Sequence, residues 1–352
     1  MLSTILQAPR KITVEERPDP VSLSPNDAVV RVVASCVCGS DLWGYRGISP
    51  VTEPRSMGHE AVGVVVELGA NVTSAQVGDF VILPFSYNCG HCQECLAGCP
   101  ASCQTVTFVG SNDAEGYWSE GAQSSMIRVP YAQASLFPVG LSEEEIEARG
   151  LVPHLLTLAD VMCTGYHAAV SAGVRPGDVV AVIGDGAVGL SGVIAAKLLG
   201  ASRIIAFSRH PERTALARKF GATDIIKERG AEAPGAVRDL LGGNLCDAAL
   251  ECVGTKESMD QSLAVVRGGG RVGFVGVPHG AELNVGQMFG QNLTIGGGMA
   301  SARVYMETLL PRVLDGSITP GDVFDLTLPL TEAAAAYAAM DERRATKVLL
   351  RP

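Results

Sequence analysis

The sequence predicts an α/β protein in two parts, a mainly-β part followed by a doubly wound parallel sheet, and two observations carry this. Over residues 1 to about 160, β-branched runs such as "DAVVRVVASCV", "AVGVVVELGA" and "VGDFVILPF" stand between Gly, Pro, Asn and Asp turns. That punctuation is expected of an antiparallel or barrel-like domain. From about residue 178 strand-like and helix-like segments alternate: "DVVAVIG", "AVGLSGVIAAKLLG", "RIIAFS", "PERTALARKFG", "DAALECVG", "SMDQSLAVVRGGG" and "RVGFVGV". Alternation of this kind implies a parallel sheet covered by helices.

After about residue 300 come a helix-like run, "VYMETLLPRVLDG", the Ala-rich "TEAAAAYAAMDERRA" and a last apolar run, "KVLL", which could belong to either part. At 352 residues the chain has room for about two domains. With 47% hydrophobic and 18% charged residues, a soluble globular chain is expected. A net charge of −10 argues against nucleic acid or an anionic membrane as partner. The longest apolar stretches are cut by Gly, Asp or Arg before reaching the roughly 18 residues that span a bilayer. The opening "MLSTILQAPRKITVEERPDP" lacks the pattern of a secretory leader, so a cytoplasmic, reducing location is expected.

In that setting clustered thiols read as metal ligands more readily than as disulfides. "NCGHCQECLAGCPASCQ" spaces Cys89, Cys92, Cys95 and Cys103 as C-x2-C-x2-C-x7-C. Short separations on a tight loop turn successive thiolates toward one point, the arrangement of a structural zinc. An iron–sulfur cluster also takes four thiolates. Cys99, between Gly98 and Pro100 where the chain turns, is left outside the coordination sphere.

The cofactor site is read from "VVAVIGDGAVGLSGVIAAKLLGA", where Gly184, Gly186 and Gly189, with Ala187 and Val188 between them, follow a strand and open a helix. The first glycine permits the turn, the second lets a pyrophosphate approach the backbone, and the third lets helix pack on strand. The next strand distinguishes the dinucleotides, because NAD sites usually end it in an acid that holds the ribose 2′-hydroxyl. Here it ends in Ser208 and Arg209, a hydroxyl and a guanidinium suited to a 2′-phosphate, so NADP(H) is expected, with Arg213 as an outer contact. Asp185 is awkward, since an acid beside bound phosphates is unfavourable unless its side chain points away.

A second metal centre is read in the first half, where "ASCVCGSDLWGYRG" offers Cys38 and "MGHEAVGVVVELG" offers His59. A catalytic zinc keeps one position open and needs a third protein ligand; spacing alone leaves Asp160 and Cys163 of "LADVMCTGYHAA" as alternatives.

At this point the chain resembles the zinc-dependent medium-chain dehydrogenase/reductase superfamily, the alcohol dehydrogenases. "CGSD", "GHEAVGVVVELG", "VGDFV", "CGHCQECLAGCPASC", "TGYHAA", "GDGAVGL" and "GGRVGFVGVP" occur in that family's order over nearly the full length. The resemblance implies a GroES-like catalytic domain at 1–160 with the structural zinc lobe at 88–104, a Rossmann domain at 161–299, and a return to the catalytic domain at 300–352. It implies Asp160 as the third ligand of the catalytic zinc and Glu60 as a carboxylate behind the histidine that can approach the metal. It also implies Ser40 as the hydroxyl that carries the alcohol proton outward, and Cys103, not Cys99, as fourth ligand of the lobe. The reaction implied is reversible hydride transfer between an alcohol carbon and the nicotinamide, in a homodimer or homotetramer.

Some positions depart from the pattern. Trp43 stands where many secondary alcohol dehydrogenases carry a relay histidine, and Trp cannot accept a proton, so the relay is expected to end at cofactor ribose and water. Trp43 and Phe85 are read as lining an apolar pocket, which points to hydrophobic or aromatic ketones, aldehydes and secondary alcohols, and the irregular stretch around Trp118 is expected to cover the active site. A formaldehyde dismutase or glutathione-independent formaldehyde dehydrogenase matches the same three ligands, but those enzymes hold NAD and usually carry an acid at the position of Ser208. A non-catalytic NADPH-binding relative would be expected to have lost zinc ligands, and all three are present.

Overall fold

The computed structural model describes residues 1–49 and 54–352. The chain divides into two compact units, one of Met1–Asp160 with Ser301–Pro352 and one of Val161–Ala300.

The first unit is built around strand Ala28–Val37, in which every residue but Arg31 is buried. Such a run, apolar on both faces, needs cover on both sides. It pairs antiparallel with Ala61–Leu68, with Met126–Val129 and with the C-terminal strand Val348–Arg351. The sheet continues on one side through Phe80–Leu83 to Phe137–Pro138, and on the other to Leu326–Pro329. The tail "KVLL" is therefore the strand beside the centre of this sheet. Ala-rich helix Ala333–Asp341 supplies Ala336, Tyr337 and Met340 to the core shared with Val37, Leu42 and Leu350. A smaller sheet pairs Leu2–Ala8 with Lys11–Glu16 and Arg55–Ser56.

The second unit is a six-stranded sheet in the order Asp224–Ile226, Arg203–Phe207, Val179–Ile183, Cys246–Glu251, Val266–Phe274, Thr294–Gly297. All its pairs are parallel. Helix Ala187–Leu198 is buried continuously from Gly189 to Ala196 and lies against helix Val161–Ser171. A Cβ at Gly165 would meet the backbone nitrogen of Gly192 at 2.6 Å, so only glycine permits so close a crossing. Helix starts follow the sequence signals: Thr255 caps Lys256–Ala264 through a reciprocal bond with Ser258, and Pro211 opens Pro211–Phe220, which Gly221 ends at φ +122. Among the described residues no helix is long and apolar enough to cross a membrane.

Candidate active site

In the first unit Cys38, His59, Glu60 and Asp160 each present one donor atom, and these atoms lie within 4.8 Å of one another. Cys38 follows the central strand, His59 and Glu60 precede the strand beside it, and Asp160 ends the unit after helix Val152–Leu158. The Phe85 backbone N–H donates to the Ala159 carbonyl at 3.2 Å, which ties this last segment to the sheet. His59 Nε2 stands 3.3 Å from Asp160 Oδ2 and 3.5 Å from Ser40 Oγ, and Cys38 Sγ stands 3.6 Å from Asp160 Oδ2. Cys163 is buried on helix Val161–Ser171 and is not a member of the cluster.

Asp41 touches two members of this cluster at once. Its Oδ1 faces His59 Nδ1 at 3.3 Å, and its Oδ2 accepts the Cys38 backbone N–H at 3.0 Å. An imidazole that donates its Nδ1–H to a carboxylate in a hydrogen bond turns the Nε2 lone pair to a metal. Asp41 is held in turn by Gln123 Nε2 at 3.4 Å, and Gln123 Oε1 accepts the Tyr337 hydroxyl at 3.1 Å.

Behind the cluster, the fully buried Lys347 donates to Glu60 Oε1 at 2.7 Å and to the Val37 carbonyl at 3.4 Å. Glu60 Oε2 is buried with no hydrogen-bond partner. The donor set fits a zinc ion: thiolate, imidazole and carboxylate converge, with an orphaned carboxylate oxygen beside them. Burial raises the Cys38 thiol, with Asp160 and Glu60 adding to the rise against the pull of His59. Burial also opposes charge on His59, but Asp41, Cys38 and Asp160 together hold its pKa well above the ordinary value. The pocket thus favours cationic charge, which a dication satisfies. Asp41→Asn is expected to weaken zinc at this centre by about 10- to 100-fold, because the histidine loses its orienting carboxylate. Titration with a competing chelator checks this, with the cysteine lobe unchanged as internal control.

The four lobe cysteines form the second convergent group, again with donor atoms within 4.8 Å. Cys103 Sγ lies 3.6 Å from Cys89 Sγ and 3.8 Å from Cys92 Sγ. Burial works against its thiolate, but N–H groups of Cys89 and Thr105 and the Thr105 hydroxyl prevail and bring its pKa down to about 6. Cys99 is exposed and outside the group.

Trp43 is half buried on the short helix Asp41–Tyr45, and Phe85 is half buried two residues beyond strand Phe80–Leu83. Trp118 lines a cavity of about 490 Å³, together with Ser3, Ile5, Ser56, Glu120 and Arg128 among others, and no member of the metal cluster lines that cavity. Its loop is pinned by buried Arg128, which bonds Asp27 at 2.8 Å, Asp113 at 2.6 Å and the Tyr117 carbonyl at 3.1 Å.

In the second unit, strand Val179–Ile183 delivers Gly184 at φ +112, and a Cβ at Gly189 would strike the Gly184 carbonyl. Gly186 precedes helix Ala187–Leu198 with no side-chain cap, and a Cβ on it would meet nothing within 4 Å. Uncapped N–H groups behind an open approach fit a pyrophosphate. Ser208 is buried at the tip of strand Arg203–Phe207, while Arg209 turns its Nε to the Lys227 carbonyl at 2.7 Å. Ser208 and Arg213 both face Asp185, at 2.9 and 3.4 Å.

A unit holding a convergent thiolate, imidazole and carboxylate, joined in one chain to a parallel-sheet unit with a glycine-rich dinucleotide loop, defines a metal-dependent nicotinamide oxidoreductase. Residues 24–139 match the alcohol dehydrogenase GroES-like domain and residues 187–315 the zinc-binding dehydrogenase domain. The chain is 34% identical to a probable zinc-binding alcohol dehydrogenase of Mycobacterium tuberculosis, over 97% of this chain and 86% of that protein. It is 29% identical to a formaldehyde dismutase of Pseudomonas putida, over 99% and 97% of the two chains. The alcohol dehydrogenase TADH from Thermus sp. ATN1 superposes with a TM-score of 0.89 at 33% identity, covering 100% of this chain and 99% of that one. The protein belongs to the zinc-dependent medium-chain dehydrogenase/reductase superfamily, as a zinc alcohol dehydrogenase.

Sequence reasoning passed over Asp41, although it stands in the quoted "CGSD", and also Gln123, Tyr337 and Lys347. The spacing of Asp41, three residues after the candidate ligand Cys38, is the available signal; for the others none exists at short range.

Proposed function

We propose that the protein transfers hydride reversibly between NADP(H) and hydrophobic or aromatic ketones, aldehydes and secondary alcohols, as a cytoplasmic homodimer or homotetramer. The observation that carries this is the buried convergence of Cys38, His59 and Asp160 with the Ser40 hydroxyl 3.5 Å from His59 Nε2. When bound, zinc supplies Lewis acidity toward the substrate oxygen, and the nicotinamide supplies or accepts the hydride. The chain's own contributions are positional: Asp41 fixes the His59 ring, Ser40 holds the substrate oxygen and passes its proton outward, and Lys347 restrains one oxygen of Glu60. Trp43 and Phe85 support an apolar pocket. Ser208 and Arg209 in place of a strand-end acid support NADP(H). The edge strand Thr294–Gly297 and the 87% exposed Phe289 nearby in sequence support self-association.

The test is initial-rate reduction of acetophenone, a β-keto ester, benzaldehyde and formaldehyde with NADPH and NADH in parallel. Ketone reduction with at least about tenfold higher kcat/KM for NADPH, roughly 1.4 kcal/mol, is the expected result. Turnover of formaldehyde alone with NAD(H) would contradict it and favour a dismutase-like enzyme.

A further inference from the structure

The glycine loop carries an acid at the place where phosphates are expected, and the structure gives that acid specific partners. Asp185, its side chain 12% exposed, accepts the Ser208 hydroxyl at 2.9 Å and faces Arg213 Nη1 at 3.4 Å and Arg229 Nη2 at 4.0 Å. Ser208 Oγ accepts in turn from Thr214 Oγ1 at 3.1 Å. The one proton that Ser208 could offer a ribose phosphate is therefore committed to Asp185. Two of the nearby cations, Arg213 and Arg229, already face a carboxylate, and Arg209 has its Nε taken by the Lys227 carbonyl.

Resting on the NADP(H) reading, we infer that Asp185 is a specificity-determining residue of the cofactor site, which competes with the 2′-phosphate for Ser208, Arg213 and Arg229. A phosphate dianion and a carboxylate repel at this range, and both seek the same guanidinium and hydroxyl donors. Binding a 2′-phosphate requires those donors to change partner. An unphosphorylated ribose makes no such demand, and a carboxylate held beside the tip of strand Arg203–Phe207 by Ser208 can accept its hydroxyls, as a strand-end acid does. Asp185 thus lowers affinity for the phosphorylated cofactor and narrows its advantage over the other.

The experiment is equilibrium binding of 2′,5′-ADP and of 5′-AMP to the full-length zinc-replete protein by calorimetry, comparing wild type with Asp185→Asn. Asparagine keeps an oxygen for the Ser208 hydroxyl, removes the charge and puts an amide N–H donor in place of the other oxygen. The expected result is about tenfold tighter 2′,5′-ADP with 5′-AMP within about twofold, consistent with removal of one like-charge contact. Unchanged or weaker 2′,5′-ADP binding by the folded variant overturns the inference. Arg229→Gln, at a side chain 45% exposed and so tolerant of change, is expected to weaken 2′,5′-ADP severalfold and leave 5′-AMP alone; an unchanged ratio also counts against it. The wild-type ratio tests the NADP(H) reading by itself. Equal wild-type binding of the two fragments with a gain in Asp185→Asn sinks that reading and leaves the role of Asp185 standing.

Discussion

Asp160→Ala is expected to remove one zinc ion per chain and to lower carbonyl reduction by about a thousandfold, equivalent to about 4 kcal/mol of transition-state stabilisation. Its Oδ2 is the atom that both His59 Nε2 and Cys38 Sγ approach, at 3.3 and 3.6 Å, so its loss leaves two ligands where a catalytic zinc needs three. Cys163→Ala is expected to keep its zinc and to react within about twofold of wild type, since that thiol stands outside the cluster. Metal analysis of the two purified variants beside their rates separates the alternatives that spacing left open. Loss of metal and activity in Cys163→Ala with retention in Asp160→Ala would reverse the ligand assignment.

Lys347→Met is expected to destabilise the protein by roughly 3–5 kcal/mol, the cost of stranding one partner of a buried ion pair. Both side chains are all but inaccessible to solvent, and Lys347 Nζ also lies 5.7 Å from the centre of the Phe324 ring. Burial alone would depress the lysine, yet Cys36, Glu60 and Cys38 raise it well above its ordinary pKa, and it stays charged. Burial already pushes the Glu60 carboxyl up, with Lys347 countering it. Once the ammonium is gone, Glu60 must take up a proton to remain inside. A group that holds its proton more tightly folded than unfolded contributes stability below its unfolded pKa and loses it as pH rises from there through the raised folded pKa, so the deficit grows from pH 5 to pH 8. Denaturant unfolding at both pH values checks the sign. Adding Glu60→Gln should recover a large part of the loss, because the stranded charge is then absent; no recovery would mean that Lys347 acts through packing alone.

How legible the protein was depends on the range over which each feature is encoded. Strands Ala28–Val37 and Val179–Ile183 declare themselves as β-branched runs because they are covered on both faces. The glycine loop and the four lobe cysteines are local motifs whose chemistry needs close spacing, and their geometry follows that spacing. The pairing of Glu60 with Lys347 spans 287 residues, and a lone lysine in "TKVLL" carries no local mark of burial. Tyr337 similarly reaches Gln123 across 214 residues, from an Ala-rich helix that reads only as a packing surface. Asp185 was recognised as awkward, but its resolution required knowing that Ser208 on the next strand and Arg213 on the next helix meet at its carboxylate. The irregular stretch around Trp118 carries no local mark of what holds it; Arg128 does so from a strand, and Trp118 lines a cavity there.

The most direct test of the account is zinc content measured beside NADPH-dependent carbonyl reduction in one preparation, as a chelator removes metal stepwise. The account predicts about two zinc ions per chain at the start, and activity that falls in proportion to loss of the Cys38–His59–Asp160 ion and returns with added zinc. Full turnover in protein that retains only the ion of the cysteine lobe would contradict it.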